Sequence, residues 1–268
     1  MDAEERARRG LSFGAVAGLY AANRPAYPVE AATWLLGPRP ARVLELGAGT
    51  GKLTSAICAL GHDVVATDPS PEMVARLRTN ATGAHCVLAR AEDIPLPSAS
   101  VDVVVAAQAF HWFDAERALP EIARVLRPGG SLSLVWNTGD GRVPWVRKLF
   151  ALTGTPMQID AGDPFENAEL FTLGEQRTFK HWQTFRKPDV LGFLASQSRV
   201  VALTPQERDD VLAEAAALYD SYGRGPDGLQ MPWLTQCYRG WVSGMPAGHH
   251  VIPSQREDPD DGLLIDFN

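Results

Sequence analysis

The sequence predicts an α/β domain in which a mostly parallel sheet carries helices on both faces. Three observations predict it. Short apolar runs at Arg42–Leu46, His62–Thr67 and Val101–Ala106 alternate with segments whose apolar residues recur at helical spacing. The run Val101–Ala106 is almost continuously apolar, as a strand covered on both faces should be. Between the first run and the next helix lies Glu45-Leu46-Gly47-Ala48-Gly49-Thr50-Gly51, with glycine at three alternate positions. Such a turn lets a ligand approach the backbone closely and offers it the unpaired N–H groups of a helix start, which suits a carboxylate, a phosphate or a nucleoside with an anionic tail.

Composition bounds the remaining possibilities. The 268 residues are 45% hydrophobic, enough for one elaborated domain with a sizeable core. A net charge of -7 argues against non-specific binding to nucleic acid or to an anionic membrane. The longest apolar runs are strand-sized and no N-terminal signal pattern precedes them, so a soluble, cytoplasmic protein is expected. Cys58, Cys86 and Cys237 are far apart with no C-x-x-C, which fits reduced, packed thiols rather than a disulfide or zinc framework.

In chain order, residues 2–9 are a charged leader expected to be mobile. Ser12–Arg24 carries Phe13, Val16, Ala17, Tyr20 and Ala21 at helical spacing and breaks at Arg24-Pro25-Ala26-Tyr27-Pro28. A helix at Val29–Leu36 precedes the glycine turn, and the helix after it places Leu53, Ala56, Ile57 and Leu60 on one face. The second strand ends in Asp68, which lies 17 residues past Gly51 (68 − 51). Ser70-Pro71-Glu72 supplies an N-cap, a first-turn proline and an acid beside the positive end of the helix dipole. A third strand, Ala84–Ala89, leads into Arg90-Ala91-Glu92-Asp93. The strand Val101–Ala106 leads into Gln108-Ala109-Phe110-His111-Trp112-Phe113-Asp114, and a helix at Asp114–Leu126 ends at Arg127-Pro128-Gly129-Gly130 before the strand Ser131–Trp136. Beyond Asn137 the pattern gives helices at Pro144–Leu152, Asp189–Leu203 and Pro205–Tyr219, with strands at Glu175–Phe185 and Leu229–Trp241. Residues 244–268 read as a mobile tail. His249 and His250, adjacent but without acidic or thiol partners, read as surface rather than as a metal site, and no metal is expected.

The glycine turn is not a P-loop, because Leu46 stands five residues before Gly51 where a glycine is required, and Leu53 follows Lys52. Nor is it the dinucleotide fingerprint G-x-G-x-x-G. As E-x-G-x-G-x-G it resembles the class I S-adenosylmethionine-dependent methyltransferases, and the R-P-x-Y-P, Asp68, Gln108–Asp114 and R-P-G-G segments extend the resemblance over residues 12–137. The run Q-A-F-H-W-F-D is similar to that of a subgroup including trans-aconitate methyltransferase-like enzymes, and the core also resembles quinone-pathway C-methyltransferases.

The resemblance implies a Rossmann-like, seven-stranded, mostly parallel sheet with an antiparallel last strand and a helical lid. It divides a single domain, 1–243, into N-terminal lid helices (10–38), a cofactor-binding core (39–138) and the last two strands with further lid helices (139–243). It implies S-adenosylmethionine as cofactor. Glu45, Gly47, Gly49 and Gly51 would wrap its methionine end, Asp68 would take the ribose hydroxyls, and Gln108 the amino group. Met73 would pack on the adenine. Ala91 and Glu92 would receive its exocyclic amine, since Arg90 stands where many relatives carry an acid. Tyr20 would lie near the ligand, and Phe110, His111 and Trp112 would face the transferred methyl and the acceptor. Trp182, Gln197, Ser198 and Trp233 would line the acceptor pocket.

Each assignment has a plainer alternative. Asp68 can be a capping residue, Tyr20 and Met73 helix-packing residues, and Glu92 part of a solvated loop. The aromatics can anchor the following helix, and His111 can be either a general base or a wall residue. The activity expected is methyl transfer to a small-molecule acceptor, at a carboxylate or a hydroxyl oxygen. An NAD(P)-dependent oxidoreductase and a catalytically silent S-adenosylmethionine-binding protein are the alternatives. Neither the acceptor nor the oligomeric state is written in the sequence.

Overall fold

The computed structural model describes residues 24–154, 163–166, 168–222 and 227–243. The expectations for Tyr20, for the leader and first helix, and for the tail with His249 and His250 lie outside the described residues.

Helix α1 (Val29–Leu36) precedes β1 (Arg42–Leu46), α2 (Lys52–Ala59), β2 (Asp63–Asp68), α3 (Pro71–Asn80) and β3 (His85–Leu88). Then follow β4 (Val101–Ala107), a single 3-10 turn (Phe110–Trp112), α4 (Ala115–Val125) and β5 (Leu126–Gly139). The rest is α5 (Pro144–Leu152), β6 (Phe171–Phe185), α6 (Lys187–Ala195), α7 (Ser198–Val201), α8 (Pro205–Tyr222) and β7 (Leu229–Val242). The seven strands form one sheet in the order β3-β2-β1-β4-β5-β7-β6. The pairs from β3 through β5 are parallel, and β7 runs antiparallel to both β5 and β6. The expected mostly parallel seven-stranded sheet with an antiparallel last strand is therefore what the chain forms.

Side-chain alternation explains how the helices cover it. Leu44, Leu46, Val104 and Ala106 point to one face and pack with Ala118, Leu119, Ile122 and Val125 of α4. Val43, Val103, Val105 and Val135 point to the other and meet Ala31, Leu35, Leu53, Ile57 and Leu77 of α1, α2 and α3. Strands buried on both faces cannot alternate polar with apolar, so they read as continuous apolar runs. Further along the second face, Phe185, Met231 and Trp233 form a third cluster with Val146, Leu149, Val190, Phe193 and Ala215 of α5, α6 and α8.

Several local expectations shift. The helix expected over Asp189–Leu203 breaks in two at Gln197, whose backbone is extended, just after Ser196, whose hydroxyl bonds the Phe193 carbonyl at 2.7 Å. Strand β5 begins at Leu126, ahead of the proline-glycine-glycine run, because Leu126 pairs with Val101 before the register shifts to Val103 opposite Ser131. Helix α1 packs into the core, with Ala31, Ala32, Leu35 and Leu36 at most 2% exposed. The Arg239 guanidinium stacks 4.3 Å from the centroid of Trp34 and fastens α1 to β7.

Candidate functional site

Strands β1 and β4 are neighbours whose connections leave toward opposite sides of the sheet, so a crevice opens beyond their carboxyl ends. The structure has a cleft there, with about 480 Å3 of space counting its open mouth. The glycine turn from Gly47 to Thr50 forms one wall, Ala107, Gln108 and Asn137 another, and Arg24, Pro25 and Tyr27 cross it from the N-terminal side, with Glu45 and Lys52 at its floor. Glu45, Gly47, Gly49 and Gln108 thus line one cleft.

The turn is pinned from behind. Ala48 donates to the Thr67 carbonyl at 2.9 Å, and Asn80 Nδ2 to the Thr50 carbonyl at 2.8 Å. Asp68 reaches across from β2, accepting from the Gly49 amide through one oxygen and from the Ser70 amide through the other, both at 2.9 Å. It therefore holds Ser70, whose own hydroxyl caps α3 by accepting from the Met73 amide, and fixes the turn at once; a carboxylate with two bonds made retains lone pairs for a ligand. Burial raises its pKa while those two amides draw it back. The two glycines have different reasons. At Gly47, φ is +67° and a Cβ would lie 2.6 Å from Ala109 Cβ, so a side chain is excluded by packing. At Gly49, φ is +57° and a Cβ would meet nothing within 4 Å, leaving the backbone open to close approach. Gly51 opens α2 as its N-cap.

Glu45 is 1% exposed beneath α2, and the Thr54 hydroxyl donates to its Oε2 at 2.6 Å. Burial pushes its pKa from 4.5 up to about 8, against the lowering by Thr54. Lys52 is held below its ordinary value by burial and by the Arg24 charge, and Nζ donates to the Arg24 carbonyl at 2.5 Å. Gln108 has φ of +54°, a left-handed conformation that a non-glycine residue adopts only when its surroundings enforce it. Here its amide donates to the Val135 carbonyl at 2.9 Å and Nε2 to the Asn137 carbonyl at 2.7 Å, so the strain aims Gln108 along the cleft wall.

The 3-10 turn after β4 carries Phe110, His111 and Trp112. Phe110 packs on the α4 side of the core and meets Phe113 edge-on at 5.8 Å between centroids. His111 keeps an exposed edge beside Trp112, at 4.6 Å. Crowding around the imidazole, followed by the Arg24 charge, lowers its pKa to about 4, so the ring is neutral at physiological pH.

Other expected residues fall outside these walls. Met73 is buried in the first turn of α3, and Ala91 is buried in the loop after β3. Glu92 Oε1 accepts the amide of Asp114, the residue at the N-cap position of α4, at 2.8 Å, and its side chain is largely buried rather than part of a solvated loop. Trp182 points outward from β6, 64% exposed, and Trp233 is 2% exposed inside the third apolar cluster, so neither stands as a pocket wall. Gln197 and Ser198 sit at the break between α6 and α7. Sequence reasoning missed Thr54, Lys52, Arg24 and Asn137. Asn137 was findable, since it lies at the carboxyl end of the strand beside β4, where such sheets hold ligands.

Comparison with known proteins follows the same outline. The family profile described as a methyltransferase domain matches residues 44–134. An uncharacterized methyltransferase of Mycobacterium tuberculosis is 44% identical over 236 residues, covering 85% of this chain and 95% of that protein. A malonyl-[acyl-carrier protein] O-methyltransferase of Methylococcus capsulatus is 38% identical over 143 residues, 49% of this chain and 52% of the other. Among solved structures, a candidate type II methyltransferase from Anaeromyxobacter dehalogenans superposes with a TM-score of 0.64 at 28% identity, covering 81% of this chain and 97% of that one.

Proposed function

This chain belongs to the methyltransferase family, and from that premise we propose that it moves a methyl group from S-adenosylmethionine to an oxygen of a small-molecule acceptor, a carboxylate in preference to a hydroxyl. The observation that carries the donor assignment is the cleft itself. It joins an open-backed glycine, a buried carboxyl at the floor and the Asp68 carboxylate behind the turn, a set that suits a cationic, ribose-bearing ligand. A carboxyl that burial keeps protonated ionises readily once a positive charge lies beside it, which favours binding of the amino or sulfonium cation.

When bound, the cofactor supplies a methyl group on a positively charged sulfur, open to in-line attack by an acceptor lone pair. The residues of this chain then have three tasks. Asp68 and the turn it pins would hold the donor's ribose side, Gln108 and Asn137 would hold the opposite wall, and His111 with Trp112, which follow Gln108 on the 3-10 turn after β4, would align the acceptor and exclude water. Proton abstraction is poorly provided for, because an imidazole whose pKa is near 4 is a weak acceptor at neutral pH. A carboxylate acceptor needs no base. The O-methyltransferase named for malonyl-[acyl-carrier protein] and the resemblance to trans-aconitate-type enzymes point to the same acceptor class.

Transfer of labelled methyl from S-adenosylmethionine to the small molecules of a cell extract tests the proposal. Label lost under mild alkali is the expected result and marks a carboxyl ester; alkali-stable label would move the acceptor to an ether, amine or carbon, and no label would favour a silent binding protein. Asp68→Ala should weaken binding of S-adenosylhomocysteine by roughly tenfold or more, as loss of charge-assisted hydrogen bonds predicts. Calorimetric titration showing unchanged affinity would remove Asp68 from the donor site.

A further inference from the structure

One wall of the cleft is held by a hydrogen-bonded chain that reaches back through three strands. Asn137, at the end of β5, donates from Nδ2 to the Ala26 carbonyl at 3.3 Å. Its Oδ1 is 2.6 Å from the hydroxyl of Thr235 on β7, and that hydroxyl is 3.3 Å from Nδ1 of His181 on β6. The chemistry of each group sets the direction. A backbone carbonyl can only accept, so Asn137 turns its amino group to Ala26 and its oxygen to Thr235. Thr235 has a single O–H and commits it to that oxygen. It can therefore only accept from His181, whose Nδ1 must carry the proton.

The remaining atoms agree with this assignment. His181 Nε2 is buried with no hydrogen-bond partner among the described residues, as an unprotonated nitrogen on the inner face of the sheet would be. Burial also lowers the imidazole pKa, which keeps the ring neutral. Thr235 itself is fully buried. The result is an amide whose orientation, set by the Ala26 carbonyl, is matched by the Thr235 hydroxyl and a neutral histidine two strands away, and whose amino group has two N–H bonds, one of them given to Ala26.

We infer that Thr235, oriented by His181, is a positioning residue for methyl-donor binding, acting through Asn137, which ties the Arg24–Pro28 segment to the sheet and offers its second N–H to an acceptor atom of the donor. The inference rests on the assignment of the cleft as the donor site. Thr235→Val keeps the shape of the side chain and removes the hydroxyl; Thr235→Ser keeps the hydroxyl. Ser133 provides the control, since it is an equally buried hydroxyl on β5 that bonds the Leu35 carbonyl at 2.8 Å, away from the cleft walls.

Calorimetric titration of S-adenosylhomocysteine into the full chain should show roughly three- to tenfold weaker binding for Thr235→Val, the size expected for one neutral hydrogen bond. Thr235→Ser should return to within about twofold of wild type, and Ser133→Ala should stay there even though its melting temperature falls. Wild-type affinity in Thr235→Val, or an equal loss in Ser133→Ala, would overturn the positioning role. Failure of the unsubstituted chain to bind the probe would overturn the donor-site assignment itself and the inference with it.

Discussion

Replacing Glu45 by glutamine turns the pH dependence of folding into a readout of one buried carboxyl. Glu45 is 1% exposed, and its pKa rises from 4.5 to about 8 because burial disfavours the ionised form. Between those values the folded chain holds a proton that the unfolded chain has released. The sign follows from linkage: the contribution is fully present below about 4.5 and is lost as pH rises through about 8. The shift, 8 − 4.5, is about 3.5 units, and at about 1.4 kcal/mol each the ceiling is about 5 kcal/mol. Relaxation around the charge brings the expected loss to on the order of 2 to 4 kcal/mol. The side chain introduced by Glu45→Gln copies the protonated carboxyl in shape, and its oxygen still accepts from Thr54. The stability of the variant should therefore not fall over that window. Urea unfolding of both proteins from pH 5 to 8.5, followed by tryptophan fluorescence, should show the difference in unfolding free energy widening in favour of the variant, by up to about 1.4 kcal/mol per pH unit. Parallel curves would refute the argument, because they would mean that Glu45 is already ionised in the folded chain.

Two further substitutions separate packing from binding, and a third tests the chemistry. Gly47→Ala should cost roughly 2 to 4 kcal/mol in urea unfolding, since it combines a left-handed backbone with a clash against Ala109. Gly49→Ala should cost only about 1 to 2 kcal/mol and leave the fold intact, while its methyl group projects into open space and weakens binding of S-adenosylhomocysteine. Equal stability losses at the two positions would contradict the distinction drawn between them. His111→Gln should keep kcat within about tenfold and leave the shape of the rate profile from pH 6 to 9 as it is in wild type, because an imidazole near pKa 4 does not titrate there. A loss of roughly a hundredfold or more, with a wild-type pH dependence that the variant lacks, would restore His111 as a base.

The sequence made the cofactor half of the fold legible because its signals are local. Glycines at alternate positions, an acid closing β2 and a Ser-Pro-Glu helix start each constrain a few consecutive residues, so the elements from β1 to β5 lie close to where the pattern puts them. What it could not show depends on partners distant in the chain. Trp233 has the same local look as a pocket residue, and only the packing of α5, α6 and α8 over β7 makes it core. The break after Ser196 is one extended residue, Gln197, beside a side-chain-to-carbonyl bond, and helical periodicity does not register it. Nor does the sequence show that Glu92 also accepts from the amide of Asp114, 22 positions away. Likewise, nothing near Asn137 or Thr235 in sequence announces that they meet, since 98 positions separate them.

The strand order has a consequence for how the chain is made. Strand β7 is the last of the described strands to leave the ribosome, yet it lies inside the sheet between β5 and β6. Until it arrives, β5 and β6 each present a row of unpaired amides and carbonyls with nothing to zip against, and β6 cannot join its sheet at all. A nascent chain of this protein therefore passes through a stage in which its parallel strands, β1 to β5, can assemble while β6 waits, exposed to association with other unfinished chains. Synthesis from the amino end thus divides the molecule in time along the line where its parallel and antiparallel strands meet.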